Sequence, residues 1–193
     1  MAGITFQPFF CPLYNPTIMK HTLSFALIML LAISSVFAQN KNRVSPHTTV
    51  NGNNFSITYG QPSVKGRVIF GTKEQHALQP YGEVWRAGAD EATEITIKKD
   101  CLFEGRKLAA GTYSLFVIPG KFEWTVILNS ELKQWGSFNY EKIKDHDVIV
   151  AAVAAKRSDK IVETFTITPQ GNGFKMEWEH MSASVDIKPI AAK

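Results

Sequence analysis

The chain has 193 residues, 45% of them hydrophobic and 11% aromatic, with 21 basic side chains against 17 acidic ones and a net charge of +4. That apolar content is too high for a disordered polymer, and two cysteines are too few for a disulfide scaffold. The basic residues are scattered rather than gathered on one stretch, which argues against nucleic acid as a partner.

Lys20 and His21 precede an apolar run from Leu23 to Ile33, followed by Ser34-Ser-Val-Phe-Ala38 and Gln39. A basic start, an apolar centre, and Val36 and Ala38 at the two specificity positions form the pattern of a secretory leader cleaved near Ala38. The run is shorter than the roughly 20 residues that a spanning helix needs, so no membrane span is expected in the mature chain. Met19 stands directly before Lys20, and residues 1–18 carry no charge; they read as a mis-started extension of the leader. The expectation is a leader over 1–38 and a single domain over 39–193, periplasmic or secreted. Losing Lys20 leaves 20 basic against 17 acidic residues, a net charge of +3. Cys11 goes with the leader. Cys101 alone cannot form an internal disulfide and reads as a small buried hydrophobe.

Past residue 45 the pattern is alternation. Asn54-Phe-Ser-Ile-Thr-Tyr59 places Phe55, Ile57 and Tyr59 on one face, and Glu94-Ile-Thr-Ile-Lys98 does the same with Ile95 and Ile97. Tyr113-Ser-Leu-Phe-Val-Ile118 is apolar on both faces, as a central strand is. Glu123-Trp-Thr-Val-Ile-Leu-Asn129 aims Trp124, Val126 and Leu128 inward, and four further runs, 148–153, 163–168, 173–179 and 183–187, complete the set. Glu104-Gly105, Pro119-Gly120-Lys121 and Gln170-Gly-Asn-Gly173 supply turns. Helix is limited to a turn or two near 130–134 or 139–143, and residues 40–45 and the last few look loose. About ten short strands with regular turn signals predict an all-β fold, a single antiparallel β-sandwich, jelly-roll-like arrangements included. Of the tryptophans, Trp85, Trp124, Trp135 and Trp178, most belong in the core, with one or two left to floor a site.

Trp85-Arg-Ala-Gly-Ala-Asp-Glu-Ala-Thr93 is the strongest candidate for chemistry. Small residues let backbone approach a ligand while Arg86, Asp90 and Glu91 meet it with charge. The plainer reading is that Arg86 and Asp90 pair with each other to pin the loop. Trp135-Gly-Ser-Phe-Asn-Tyr140 offers Trp135 and Tyr140 as platforms for a sugar ring, or else as core caps. A loop shaped by Pro62, Gly66 and Gly71 presents Lys65 and Arg67 to an anion or simply to water. Gly60, Gly66 and Gly71 are not a phosphate cradle, since the lysine-and-hydroxyl ending is missing. His47, His76, His146 and His180 lack a second ligand at metal spacing, so no metal and no cofactor is expected. The glycine-x-serine-x-glycine pattern of a nucleophile elbow is absent.

Several segments together resemble one family: Pro-Ser-Val-Lys-Gly-Arg at 62–67, Phe70-Gly71, Pro80-Tyr-Gly-Glu-Val-Trp-Arg-Ala-Gly-Ala at 80–89, Glu91-Ala-Thr93, Ala110-Gly-Thr-Tyr-Ser-Leu115 and Trp135-Gly-Ser-Phe138. The chain resembles the domain-of-unknown-function family numbered 2911, small exported proteins of Gram-negative bacteria. The resemblance implies a secreted or periplasmic β-rich domain and supplies no activity, substrate or catalytic residue. Asp90 departs from it, standing where many relatives are expected to carry asparagine.

The leading functional expectation is a non-enzymatic binding module for a small polar ligand or glycan, using Arg86, Asp90, Glu91, Trp135, Arg67 and Tyr140. One alternative is a hydrolase pairing Glu91 or Asp90 with His47 or another distant histidine as acid and base. The other is an envelope structural or protein-interaction domain. Oligomeric state is not readable from the sequence.

Overall fold

A computed structural model describes residues 45–190 of the chain. The expected leader, its cleavage site and most of the segment 40–45 lie outside the described residues. Within them the strands are β1 (His47–Asn51), β2 (Phe55–Gly60), β3 (Phe70–Gly71), β4 (Gln79–Pro80), β5 (Thr93–Ile97), β6 (Cys101–Phe103), β7 (Arg106–Leu108), β8 (Gly111–Ile118) and β9 (Glu123–Asn129). A short helix α1 (Tyr140–Ile143) and a 3-10 turn (Lys144–His146) follow, then β10 (Asp147–Gln170), β11 (Gly173–Val185) and β12 (Ile187–Pro189). The all-β expectation holds. Seven strands form one curled antiparallel sheet in the order β1-β2-β5-β8-β9-β10-β11, beside a small sheet β12-β6-β7 and a parallel pair β3-β4.

Alternation decides which side chains go inside. Phe55, Ile57 and Tyr59 of β2, Ile95 and Ile97 of β5, and Trp124, Val126 and Leu128 of β9 all enter the main core. Its centre is aromatic: Trp85 stacks on Trp178 with centroids 5.5 Å apart, and Phe70, Trp124 and Phe165 meet them at tilted or edge-on angles. β8 is central, between β5 and β9, and its outer face is covered too. There Phe116 packs with Ala92, Ile127 and Tyr140, with Ile118 and Ile143 alongside.

β10 is shared by two partners. Residues 147–154 pair with β9, and from Ala155 onward the strand pairs with β11. The second ladder is twice interrupted. Arg157 faces Met181 and Val162 faces Glu179, so residues 158–161 stand opposite His180 alone. After Val162, residues 163–165 leave the ladder to join 62–64: Val64 N–H donates to Glu163 O (2.8 Å) and Phe165 N–H to Pro62 O (2.9 Å). Bulges bend a strand and increase its twist. Here they fold the hairpin back until Gly173 lies against the carbonyl of Val185, where a Cβ would collide with it. Two runs that read separately from the sequence, 148–153 and 163–168, are therefore one long bent strand. The seam at 62–64 is tied by the Tyr59 hydroxyl, which accepts the Ile167 N–H at 2.9 Å from a buried position.

Candidate functional site

The chain between β4 and β5 is an ordered loop, held by its own polar groups. The indole N–H of Trp85 donates to Gly88 O (3.0 Å), and the buried Thr93 hydroxyl donates to Ala87 O (2.7 Å). Ala87 and Asp90 both sit in the left-handed region, with φ of +49° and +63°. Such a conformation is uncommon for alanine and better tolerated by aspartate or asparagine, which gives Asp90 a conformational reason that does not need its charge. Two glycines let this loop lie on the end of β2. A Cβ on Gly60 would run into Ala89 O, and one on Gly88 would come within 3.0 Å of Gly60 O.

Arg86 is half-buried beneath the loop, and its Nη1 donates to the backbone oxygen of Asp90 at 2.9 Å. The plainer reading of this pair is thus realised through a carbonyl: the guanidinium pins the loop's turn. Burial pulls the Arg86 guanidinium below its ordinary range, and the Asp90 charge acts against that. The same carbonyl accepts Gly136 N–H at 3.0 Å, and Ala92 N–H donates to Gln134 O at 2.8 Å. Glu91 and Trp135 form an antiparallel bridge. The two loops marked out from the sequence are therefore zipped together. Gly136, at φ +76°, leaves room for Phe138, whose ring lies under the Arg86 guanidinium with 5.4 Å from Cζ to centroid. Trp135 is 46% exposed and Phe138 76% exposed.

The start of the described chain completes the cluster. Ser45 N–H donates to Asp90 Oδ2 (3.1 Å), and His47 Nδ1 lies 3.0 Å from Ser45 O. A carbonyl accepts only, so Nδ1 donates here and Nε2 is turned the other way. Nε2 stands 3.1 Å from Glu91 Oε2 and 4.0 Å from Asp90 Oδ2, without hydrogen-bond alignment. A histidine and two carboxylates from distant parts of the sequence thus meet beside Arg86. Among the described residues, no group of three or more His, Cys, Asp or Glu side chains is arranged to hold a metal ion.

The other candidates go elsewhere. Arg67 folds back on its own loop, donating from Nε to Val64 O (3.1 Å) and from Nη2 to Ser63 O (2.6 Å). Its cation closes the turn next to the seam. Tyr140 is buried under Phe116 and gives its hydroxyl to Asp147 Oδ2 at 2.6 Å, so its ring is no platform for a sugar. The reason is the short helix α1, which turns the tyrosine inward onto the outer face of β8. Burial first, and then Asp147, pushes the Tyr140 phenol far above the usual tyrosine range.

A family model described as "Protein of unknown function (DUF2911)" matches residues 41–187. The chain belongs to this family. No curated protein and no solved structure matches it. The segments by which the sequence resembles the DUF2911 family, at 80–89, 91–93 and 135–138, are those that build the cluster, and the segment at 62–67 builds the seam. Sequence reasoning passed over Ser45 and Phe138. No pattern marks a main-chain N–H as the partner of a carboxylate 45 residues away, and Phe138 gave no sign of lying under Arg86 rather than in the core. No helix among the described residues is long and apolar enough to cross a membrane.

Proposed function

We propose that this DUF2911 protein is an exported binding module for a small polar ligand, held on the shelf formed by the loops at 85–92 and 134–138. The observation that carries the reading is convergence. One half-buried guanidinium, two carboxylates and two exposed aromatic side chains share a zipped pair of loops, and a histidine from β1 meets them there. Arg86 commits one N–H to Asp90 O and has five in all, in a planar fork suited to a carboxylate or to vicinal hydroxyls. Trp135 and Phe138 offer apolar faces on which a sugar ring or a similar flat body can rest. Export is supported by the leader-like pattern at 20–38, with cleavage near Ala38.

The test is calorimetric titration with a panel of neutral sugars, uronates and small carboxylates, repeated on Arg86→Ala and Trp135→Ala. One class should bind to the parent protein and weaken at least about tenfold, roughly 1.4 kcal/mol, in both variants while the fold persists. A panel with no binder, or binding unmoved by either substitution, refutes the shelf.

A second reading rests on the 3.1 Å contact of His47 Nε2 with Glu91 Oε2. Two titratable groups within hydrogen-bond reach are what acid–base hydrolysis needs, and they lie 44 positions apart in the sequence. Turnover of a bound ester or glycoside, lost in Glu91→Gln with binding retained, would favour this reading over simple binding.

A further inference from the structure

The folded hairpin makes a second feature, on the opposite ledger of charge. Because β10 and β11 bend back, the tip of the hairpin, with Gln170 and Lys175, comes beside its base, with Lys156, Ser182 and Ser184. Together they line a depression of about 320 Å³, and no carboxylate is among its lining residues. Ser184 Oγ donates to Gln170 Oε1 at 3.1 Å, which joins tip to base. Lys175 gives one N–H to Glu177 Oε1 at 2.6 Å, and an ammonium has three to give. Lys156 is exposed and makes no ion pair with any described residue, unlike Lys73, Lys144, Lys175 and Lys188.

Two other concavities among the described residues differ from this one. The depression of about 230 Å³ at the bend is lined by Glu177 and Glu179 as well as Lys160 and His180. The one of about 360 Å³ near β12 has Lys98 and Lys99 but also Asp100 in its lining. Only the tip-to-base depression, among these three, sets two lysines with hydroxyl and carboxamide groups and has no acid in its lining, Glu177 meeting Lys175 from outside it.

We propose that the depression between the tip and base of the β10–β11 hairpin is a binding site for a small molecule bearing a multiply charged oxyanion such as phosphate. Lys156 and Lys175 supply the charge, and Ser182, Ser184 and Gln170 supply neutral hydrogen bonds to the oxyanion or to hydroxyls attached to it. The site is separate from the shelf of Arg86 and stands whether or not that shelf binds a ligand.

The experiment is phosphorus NMR of inorganic phosphate and of a hexose 6-phosphate, titrated with the intact protein at constant ionic strength set by potassium chloride. Saturable line broadening is expected with the parent protein. It should weaken by about tenfold or more in Lys156→Gln/Lys175→Gln and by less in Lys156→Gln alone, which removes an exposed side chain and keeps the fold testable. Equal broadening by parent and double variant, or none with either phosphate, overturns the proposal. If both phosphates bind alike, the occupant is the free oxyanion. If the hexose phosphate binds more tightly and Ser184→Ala removes the difference, the occupant is a phosphorylated sugar.

Discussion

Two clusters in this protein contain a histidine, carboxylates and a partner from a distant segment, yet they are built to different ends. The first is the shelf of His47, Arg86, Asp90 and Glu91. The second lies below α1, where the fully buried Asn129 donates from Nδ2 to Ile143 O (2.8 Å) and to Asp147 Oδ1 (2.7 Å) and accepts Glu131 N–H at 2.8 Å. Asp147 takes the Tyr140 hydroxyl on its other oxygen, Ser114 reaches Glu131 O at 2.6 Å, and His146 Nδ1 meets Glu131 Oε1 at 2.6 Å. There every buried polar group named has a partner, and none of the residues named has a positive φ. On the shelf, two residues hold a left-handed conformation, a ring nitrogen faces carboxylates without hydrogen-bond alignment, and aromatic side chains stand in water. A closed polar network fixes structure, whereas the shelf leaves a half-buried guanidinium and two aromatic side chains open to solvent. Composition alone does not separate the two; exposure does.

The comparison can be broken most sharply at Asn129. Asn129→Leu should cost about 3 kcal/mol, because it strips partners from a buried carbonyl and a carboxylate together. Chemical denaturation reads that loss, and a variant within 1 kcal/mol of the parent would mean the network is not structural. Gly60→Ala attacks the other region by driving a methyl group into Ala89 O. It should cost about 2 kcal/mol and loosen the shelf, seen as faster amide exchange at 86–91 with the strands unaffected.

Tyr140→Phe should cost about 1 kcal/mol near neutral pH, and its clearer signature is alkaline. The folded phenol titrates above the unfolded one, so its stabilisation is fully present below the unfolded value near 10 and is lost as pH rises through the folded value. Denaturation midpoints of the parent should therefore fall more steeply above pH 10 than those of Tyr140→Phe. Parallel curves would exclude this tyrosine as the source. The smallest effect belongs to the rim of the closed network. Glu131→Gln breaks an ion contact between two half-exposed side chains and should change stability by less than about 0.5 kcal/mol.

What the sequence disclosed followed from local rules. Period-two alternation found the strands from β2 to β9 that carry it, and the turns at Glu104-Gly105 and Pro119-Gly120 lie where hairpins reverse. β1 escaped notice because His47-Thr-Thr-Val-Asn51 has a single aliphatic residue to alternate. The bend in β10 escaped because a bulge depends on what a segment pairs with, and residues 163–165 are diverted by 62–64, some hundred positions earlier. At the shelf, Arg86, Asp90, Glu91 and Trp135 were visible as charge and aromatic character among small residues. The inward turn of Tyr140 and the self-capping of Arg67 were not, since each is decided by a neighbour that only the folded chain supplies.

The seam between 62–64 and 163–165 carries a lesson about time as well as shape. The contacts that close it, from Lys65 N–H to Glu163 Oε1 and from Ile167 N–H to the Tyr59 hydroxyl, span 98 and 108 positions. Closing so long a loop costs entropy before any contact repays it, so closure belongs to the late, slow part of folding. The aromatic centre needs Trp178 from β11 beside Trp85. A chain emerging from its N-terminal end therefore cannot lock its aromatic centre until β11 is present.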